Sequence, residues 1–468
     1  MRVQNRSIIS IDKMREEISK RNSPIAELLN NNNNFSILNA GYDKDYLYAR
    51  KAYECFIEDY SGNIYIDTAL GAGTHILGHA NPIIVREIER QAREGTLYIL
   101  PNKCTHEVGK FLSQAIPYFS SFVFCNSGTE ATIRATRIAR AYSGRKKVAM
   151  FSGGWHGGND MLLFEEDYNG DETRPVPMFK SAGVPEELIG MTLMLPYNND
   201  AAFDLIEQHK DELAMVMIEP SQGSNPRDDV GKFLRELRRV TAKHNILLCF
   251  DEIVTGFRVA LGGCQEYYRV KADIATYGKT LGGGLPIGLV AGRKEVMSVV
   301  KGNGHKKPVF MGGTFSANPL VMHVAKTVLQ HLIENRETIY TYLNENGRCV
   351  RNTINEFCVA NQIAVRMTGI GSISRMIFTD KAIKSRRERD NYEIDDTLQK
   401  LFYSYLRFEK GVYVSGNRIL FLSTAHKKEH IEKIIRSIIE TLEYFSKRLD
   451  VFKKGVYGRR TGVKRFCV

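Results

Sequence analysis

An α/β fold with a mostly parallel sheet is what this 468-residue sequence predicts, on two observations. From about 68 to 320, short apolar runs alternate with helix-period segments, the pattern of strands joined by helical crossovers. Five of these runs also end in polar residues suited to chemistry. Open α/β sheets bind ligands beyond the carboxyl ends of their strands, so the five ends are expected to form one site.

The elements follow in order. The first fifty residues read as loose, and five asparagines in a row (30–34) favour a loop. "FIEDYSGNIYID" (56–67) reads as strand, Ser-Gly-Asn turn and strand. "SFVF" leads into Cys125-Asn126-Ser127-Gly128-Thr129-Glu130 and then a helix, "ATIRATRIARAY". "VAMF" leads towards Gly153-Gly154-Trp155-His156-Gly157, and "LAMVMI" into Glu219-Pro220-Ser221-Gln222-Gly223. "ILLCF" leads into Asp251-Glu252, and "DIATY" into Gly278-Lys279. An amphipathic helix bearing Phe233, Leu234, Leu237 and Val240 precedes the Asp251 strand. Helical pattern dominates after 320, and a last helix covers roughly Glu429 to Tyr444.

Composition is that of an ordinary globular chain, 43% hydrophobic and 25% charged. The charged N-terminus has no apolar h-region, and no uncharged apolar run is long enough to span a bilayer. Eight cysteines are scattered without a CxxC pair, so neither a metal site nor a disulfide framework is indicated. A cytosolic setting is expected. The net charge of +12 is concentrated at one end: residues 447–468 carry eight Lys/Arg against Asp450, leaving +5 for the rest. A solvated basic tail on a nearly balanced body argues against nucleic acid as the main partner.

Each strand end has a bland and a sharp reading. Ser127, Gly128 and Thr129 stand where a helix begins, which suits N-capping or a phosphate on the first-turn amides. Asp251 ends an apolar strand, so its carboxylate needs a buried cation or a protonated ring nitrogen. Trp155, the one tryptophan, sits among four glycines, where its face suits a flat ligand as well as core packing. His156 suits proton handling beside it. Lys279 precedes Gly282-Gly283-Gly284; it is either a solvated loop lysine or an amine kept uncharged by burial so that it attacks a carbonyl. "GAGTHILG" (71–78) begins like a dinucleotide turn but lacks the third glycine.

"NSGTEA", "GGWHGG", "DEIVTGFR", "TYGKTLGGGLPIG" and "GGTFSANP" occur in this order. Together they resemble the class III pyridoxal-phosphate aminotransferases of fold type I, most of all the glutamate-1-semialdehyde aminomutase branch. The likeness runs from about Phe56 to His426. It implies a large cofactor-binding domain with a mostly parallel sheet, and a smaller α+β domain built from N- and C-terminal segments. The corresponding divisions are 1–67, 68–327, 328–446 and a basic tail, 447–468.

The resemblance also implies roles. Lys279 would hold pyridoxal 5'-phosphate covalently and later move the substrate proton. Asp251 would keep the pyridine nitrogen protonated. Ile253 and Trp155 would cover the two ring faces, with His156 and Glu219 beside them. Ser127, Gly128 and Thr129 would hold the phosphate. Thr314 would reach the phosphate of a neighbouring subunit, implying a homodimer. Three departures from the aminomutase pattern stand at Ser224, in "GAGTHI" and at Arg418. Arg418, two residues from Leu420, is expected to share its strand face and to bind an anionic group. The function expected is transfer of an amino group from an amino acid donor such as glutamate to a keto or aldehyde acceptor, sugar-like or anionic. The alternatives are an intramolecular aminomutase, or a non-catalytic protein of this fold with a nucleic-acid-binding tail.

Overall fold

Seven strands make the central sheet of the computed structural model, which describes residues 47–302 and 307–453. They are β1 (Ser121–Cys125), β2 (Lys147–Phe151), β3 (Thr192–Leu195), β4 (Leu213–Ile218), β5 (Leu247–Asp251), β6 (Ile274–Gly278) and β7 (Gly288–Gly292). Their order across the sheet is β1-β7-β6-β5-β4-β2-β3. The run from β6 to β3 is parallel, and β7 lies antiparallel between β6 and β1. Every residue of β4, β5, β6 and β7 is buried. Strands covered on both faces lose the polar alternation of a half-exposed sheet, and so "LAMVMI" is apolar throughout.

Two helices matter most for the site. Helix α1 (Gly128–Ser143) follows β1 directly. Ser127 caps it by accepting the Glu130 amide on its hydroxyl (3.1 Å), and Glu130 reaches back to the Asn126 amide (3.0 Å). Gly144, at φ +73°, ends it in the left-handed conformation that glycine adopts without a Cβ clash. Helix α2 (Pro319–Glu334) is capped by Asn318, starts on Pro319, and packs on the helices Pro82–Glu94 and Lys103–Ala115. The expected division at 327/328 falls inside α2.

A two-stranded hairpin pairs Phe164–Glu166 with Pro177–Phe179, and two further sheets draw on segments nearer the chain ends. Ala49–Tyr53, Phe56–Asp59 and Ile64–Asp67 form an antiparallel meander, and Val412–Tyr413 joins it alongside Ile64–Asp67 in parallel. Arg366–Ile370, Ile373–Ile377 and Ile419–Phe421 form a second antiparallel sheet. The helix Lys428–Ser446 lies close to the expected last helix.

The start of the basic tail is not the solvated terminus expected of it. Phe452 is 1% exposed, packed among Phe378, Phe402 and Phe445, and its carbonyl accepts the Ala364 amide (2.7 Å). One buried aromatic outweighs the charge around it. Residues 454–468 and the asparagine run lie outside the described residues. No helix among the described residues is long and apolar enough to cross a membrane.

Candidate active site

A cavity of about 460 Å³ opens at the carboxyl ends of the parallel strands. Ser127, Gly128, Thr129, Trp155, His156, Glu219, Asp251, Ile253 and Lys279 all line it. Strand geometry explains the convergence. Neighbouring parallel strands end side by side, so the residues that follow them meet however far apart they lie in sequence.

Asp251 is the last residue of β5 and is 4% exposed. Its carboxylate is held on both oxygens. Oδ2 lies 2.7 Å from His156 Nδ1, and Oδ1 accepts the Ile253 amide and the Thr276 hydroxyl, each at 3.1 Å. These partners offset the cost of burying the acid and fix its direction. The other ring nitrogen of His156, Nε2, is buried without a hydrogen-bond partner among the described residues. Glu219 is anchored by the amides of Trp155 (2.8 Å) and Gly223 (3.0 Å). Burial, opposed by His156 and reinforced by Asp251, pushes its carboxyl above the usual range.

Lys279 follows β6 with φ +38°, a left-handed backbone that a lysine adopts at a cost of about 1–3 kcal/mol. Burial holds its ammonium below the ordinary lysine value; Asp251 and Glu219 act against that shift and Arg258 adds to it. Two of the three glycines after it have separate jobs. A Cβ on Gly283 would stand 3.0–3.1 Å from Ile84, Val324 and Val328, so this glycine lets two helices close on the turn. Gly284 lines the cavity, and its missing Cβ leaves room for His75, whose Cε1 would be 2.8 Å away.

One end of the cavity is the start of α1. Thr129 Oγ1 accepts the Gly158 amide (3.0 Å), tying this turn to the Trp155 loop. Gly128 faces the Ile253 side chain, 3.1–3.3 Å from where a Cβ would be. Behind the turn, a Cβ on Gly288 of β7 would stand 2.1 Å from the Ser127 carbonyl oxygen. First-turn amides, an apolar wall, a deep carboxylate and a desolvated amine together fit a flat, protonated ring that carries a phosphate and a carbonyl.

Three expected residues are not in this cavity. Arg418 is at φ +62°, just before Ile419–Phe421 rather than within it, so strand alternation does not aim it. Its guanidinium runs instead to Gln399 Oε1 (2.7 Å) and Asp396 (2.5 Å). Ser224 donates its hydroxyl to the Gly153 carbonyl (3.1 Å), supporting the Trp155 loop from behind. Thr314 is exposed on the surface.

Conversely, Thr74 and the Leu285–Ile287 wall line the cavity without having been singled out. Thr74 comes from the segment "GAGTHILG". There Leu70, Gly71, Ala72 and Gly73 all have positive φ, and such a left-handed turn leaves no trace in hydrophobic periodicity. Arg258, fully buried, ties the turn down. It donates to the Gly73 carbonyl (2.9 and 2.6 Å), to Ser372 Oγ (3.2 Å) and to the Leu422 carbonyl (3.0 Å). Burial lowers its guanidinium to about 9.

Comparison with known proteins agrees with this geometry. The aminotransferase class-III family model matches residues 37–442. A glutamate-1-semialdehyde 2,1-aminomutase of Methanocaldococcus jannaschii is 35% identical over 413 residues, covering 86% of this chain and 93% of its own. The β-phenylalanine aminotransferase of Variovorax paradoxus superposes with a TM-score of 0.83 at 25% identity, covering 94% of this chain and 99% of its own. A transaminase with PLP bound gives 0.79 at 25% identity, covering 95% and 99%. With a matched model over most of its length and its strand-end residues gathered on one cavity, the chain belongs to the class III aminotransferase family.

Proposed function

We propose that this protein is a pyridoxal-phosphate-dependent aminotransferase that takes an amino group from an amino acid donor, glutamate foremost, and gives it to a keto or aldehyde acceptor. The observation that carries this reading is the desolvated Lys279 sharing a cavity with the oriented Asp251. When bound, the cofactor supplies an electron sink for charge developing at the substrate carbon. The Ser127–Thr129 turn would hold its phosphate, and Ile253 and Trp155 would flank its ring. Asp251, oriented by His156, would keep a proton on the ring nitrogen. Lys279 Nζ would hold the cofactor at its carbonyl, and when free its amine would carry the proton taken from the substrate carbon.

A homodimer belongs to the same proposal. Ile99 (83% exposed), Leu100 (72%), Phe310 (74%) and Phe315 (59%) are large apolar side chains left on the surface, two of them flanking Thr314. Apolar surface of this size favours a protein partner, and a second copy would bring Thr314 to the neighbouring phosphate.

The aminomutase reading is favoured by the name of the 35%-identical relative. One assay separates the two. The purified holoenzyme is mixed with glutamate, and the visible absorbance of its cofactor is followed with and without keto acceptors. An aminotransferase bleaches with glutamate and recovers with an acceptor. An aminomutase converts glutamate-1-semialdehyde with no external donor. A protein without visible cofactor absorbance refutes both.

A further inference from the structure

We infer that Lys180 and Arg386 form an anion subsite at the mouth of the cofactor cavity, which takes a carboxylate or phosphate group of the substrate. The inference rests on the aminotransferase reading and names its substrate class.

Lys180 follows the short strand Pro177–Phe179, and its Nζ stands 4.6 Å from the centre of the Trp155 ring. Trp155 lines the cavity and is half exposed, so this ammonium sits at the opening. Among the described residues no carboxylate lies within ion-pair distance of it. Arg386 reaches the same loop at Gly153. It presses on Gly153, where a Cβ would be 2.8 Å from Arg386 Cβ, so only glycine seats it there. Its ion pair is long, Nε to Asp390 Oδ2 at 3.5 Å, and that buried Nε has no hydrogen bond. Asp390 is already engaged, taking Arg389 on Oδ1 (2.6 Å) and the Tyr168 hydroxyl on Oδ2 (3.1 Å). Arg387, next in sequence, is matched by Glu166 (2.5 Å).

At the Trp155 loop, Lys180 is therefore without a carboxylate partner among the described residues and Arg386 has only a long ion pair. Burial lowers the Lys180 ammonium, with Arg386 the next cause, while Glu165, Glu219 and Asp390 act in the opposite sense. Like charges in a partly desolvated mouth raise each other's energy, and an anion held between them relieves both through charge-assisted hydrogen bonds. The cofactor's own phosphate takes the Ser127–Thr129 turn, so this anion belongs to the substrate.

The single tryptophan is a built-in reporter. Holoenzyme is titrated with inorganic phosphate and, separately, with glutarate, at ionic strength held constant with chloride, while Trp155 fluorescence is read. A saturable change is expected with at least one of them. Its midpoint should rise about tenfold or more in Lys180→Gln and in Arg386→Gln, and return towards wild type in Lys180→Arg. Saturation by phosphate alone assigns a phosphate ester, by glutarate alone a carboxylate, and by both a site that takes either. No saturable change with either probe, or one midpoint shared by wild type and both glutamine variants, overturns the subsite. Cofactor absorbance is recorded in every sample. Its presence with an anion-blind Trp155 refutes the subsite alone, and its absence in wild type refutes the aminotransferase reading.

Discussion

The inner wall of the cavity and its outer rim are built differently. The inner wall comes from strand ends: Asp251 closes β5, Lys279 follows β6 and the Ser127 turn follows β1. Backbone register sets their spacing, and hydrogen bonds hold the Asp251 and Ser127 side chains. The outer part is made by separate segments: Thr74 lines the cavity, Lys180 stands over the Trp155 ring, and Arg386 presses on Gly153 of the same loop. A rigid interior suits a cofactor that never changes. A rim drawn from separate segments suits the substrate, the part that varies between relatives.

The largest effect expected from breaking the inner wall is at Lys279. Lys279→Ala should lower turnover on the order of 10³–10⁴-fold, followed by product formation under saturating donor and acceptor. A loss below tenfold would remove Lys279 from the chemistry. Next comes the register itself. Gly288→Ala places a methyl 2.1 Å from the Ser127 carbonyl. It should raise the dissociation constant of the cofactor by roughly tenfold or more, by displacing the phosphate turn, and equilibrium dialysis of the apo-protein reads this. The smallest effect is in pH. The neutral amine is the nucleophile and burial lowers its pKa, so the rate of cofactor capture by apo-protein should rise with pH. It should level off at a lower pH than for a solvent-exposed lysine. A midpoint at or above that of free lysine would contradict the burial of Lys279.

The same contrast explains what was legible in the sequence. Strand ends announce themselves, because an apolar run stopped by Asp, Lys or Ser-Gly-Thr marks both a boundary and a chemistry. The nine residues brought together by the cavity all follow such runs or lie within a few positions of one. The rim has no such signal. Lys180 and Arg386 are 206 positions apart and meet only through the Trp155 loop. Thr74 is carried in by a left-handed turn, and Arg418 is carried out by a single positive φ. Phe452 shows the same limit at the chain end, where one buried ring decides the conformation of a basic segment.

Arg258 bears on when the site comes into being. Its acceptors lie at 73, 372 and 422, so the loop that follows Asp251 has its full set only after residue 422 has been synthesised. Before residue 372 is made, this guanidinium has only the Gly73 carbonyl, and until residue 422 is made it still lacks its third anchor. A growing chain therefore holds every inner-wall residue long before it holds a finished cavity. The clamp on the Thr74 turn is thus completed late in synthesis, whereas the lysine and acid beside it are made early.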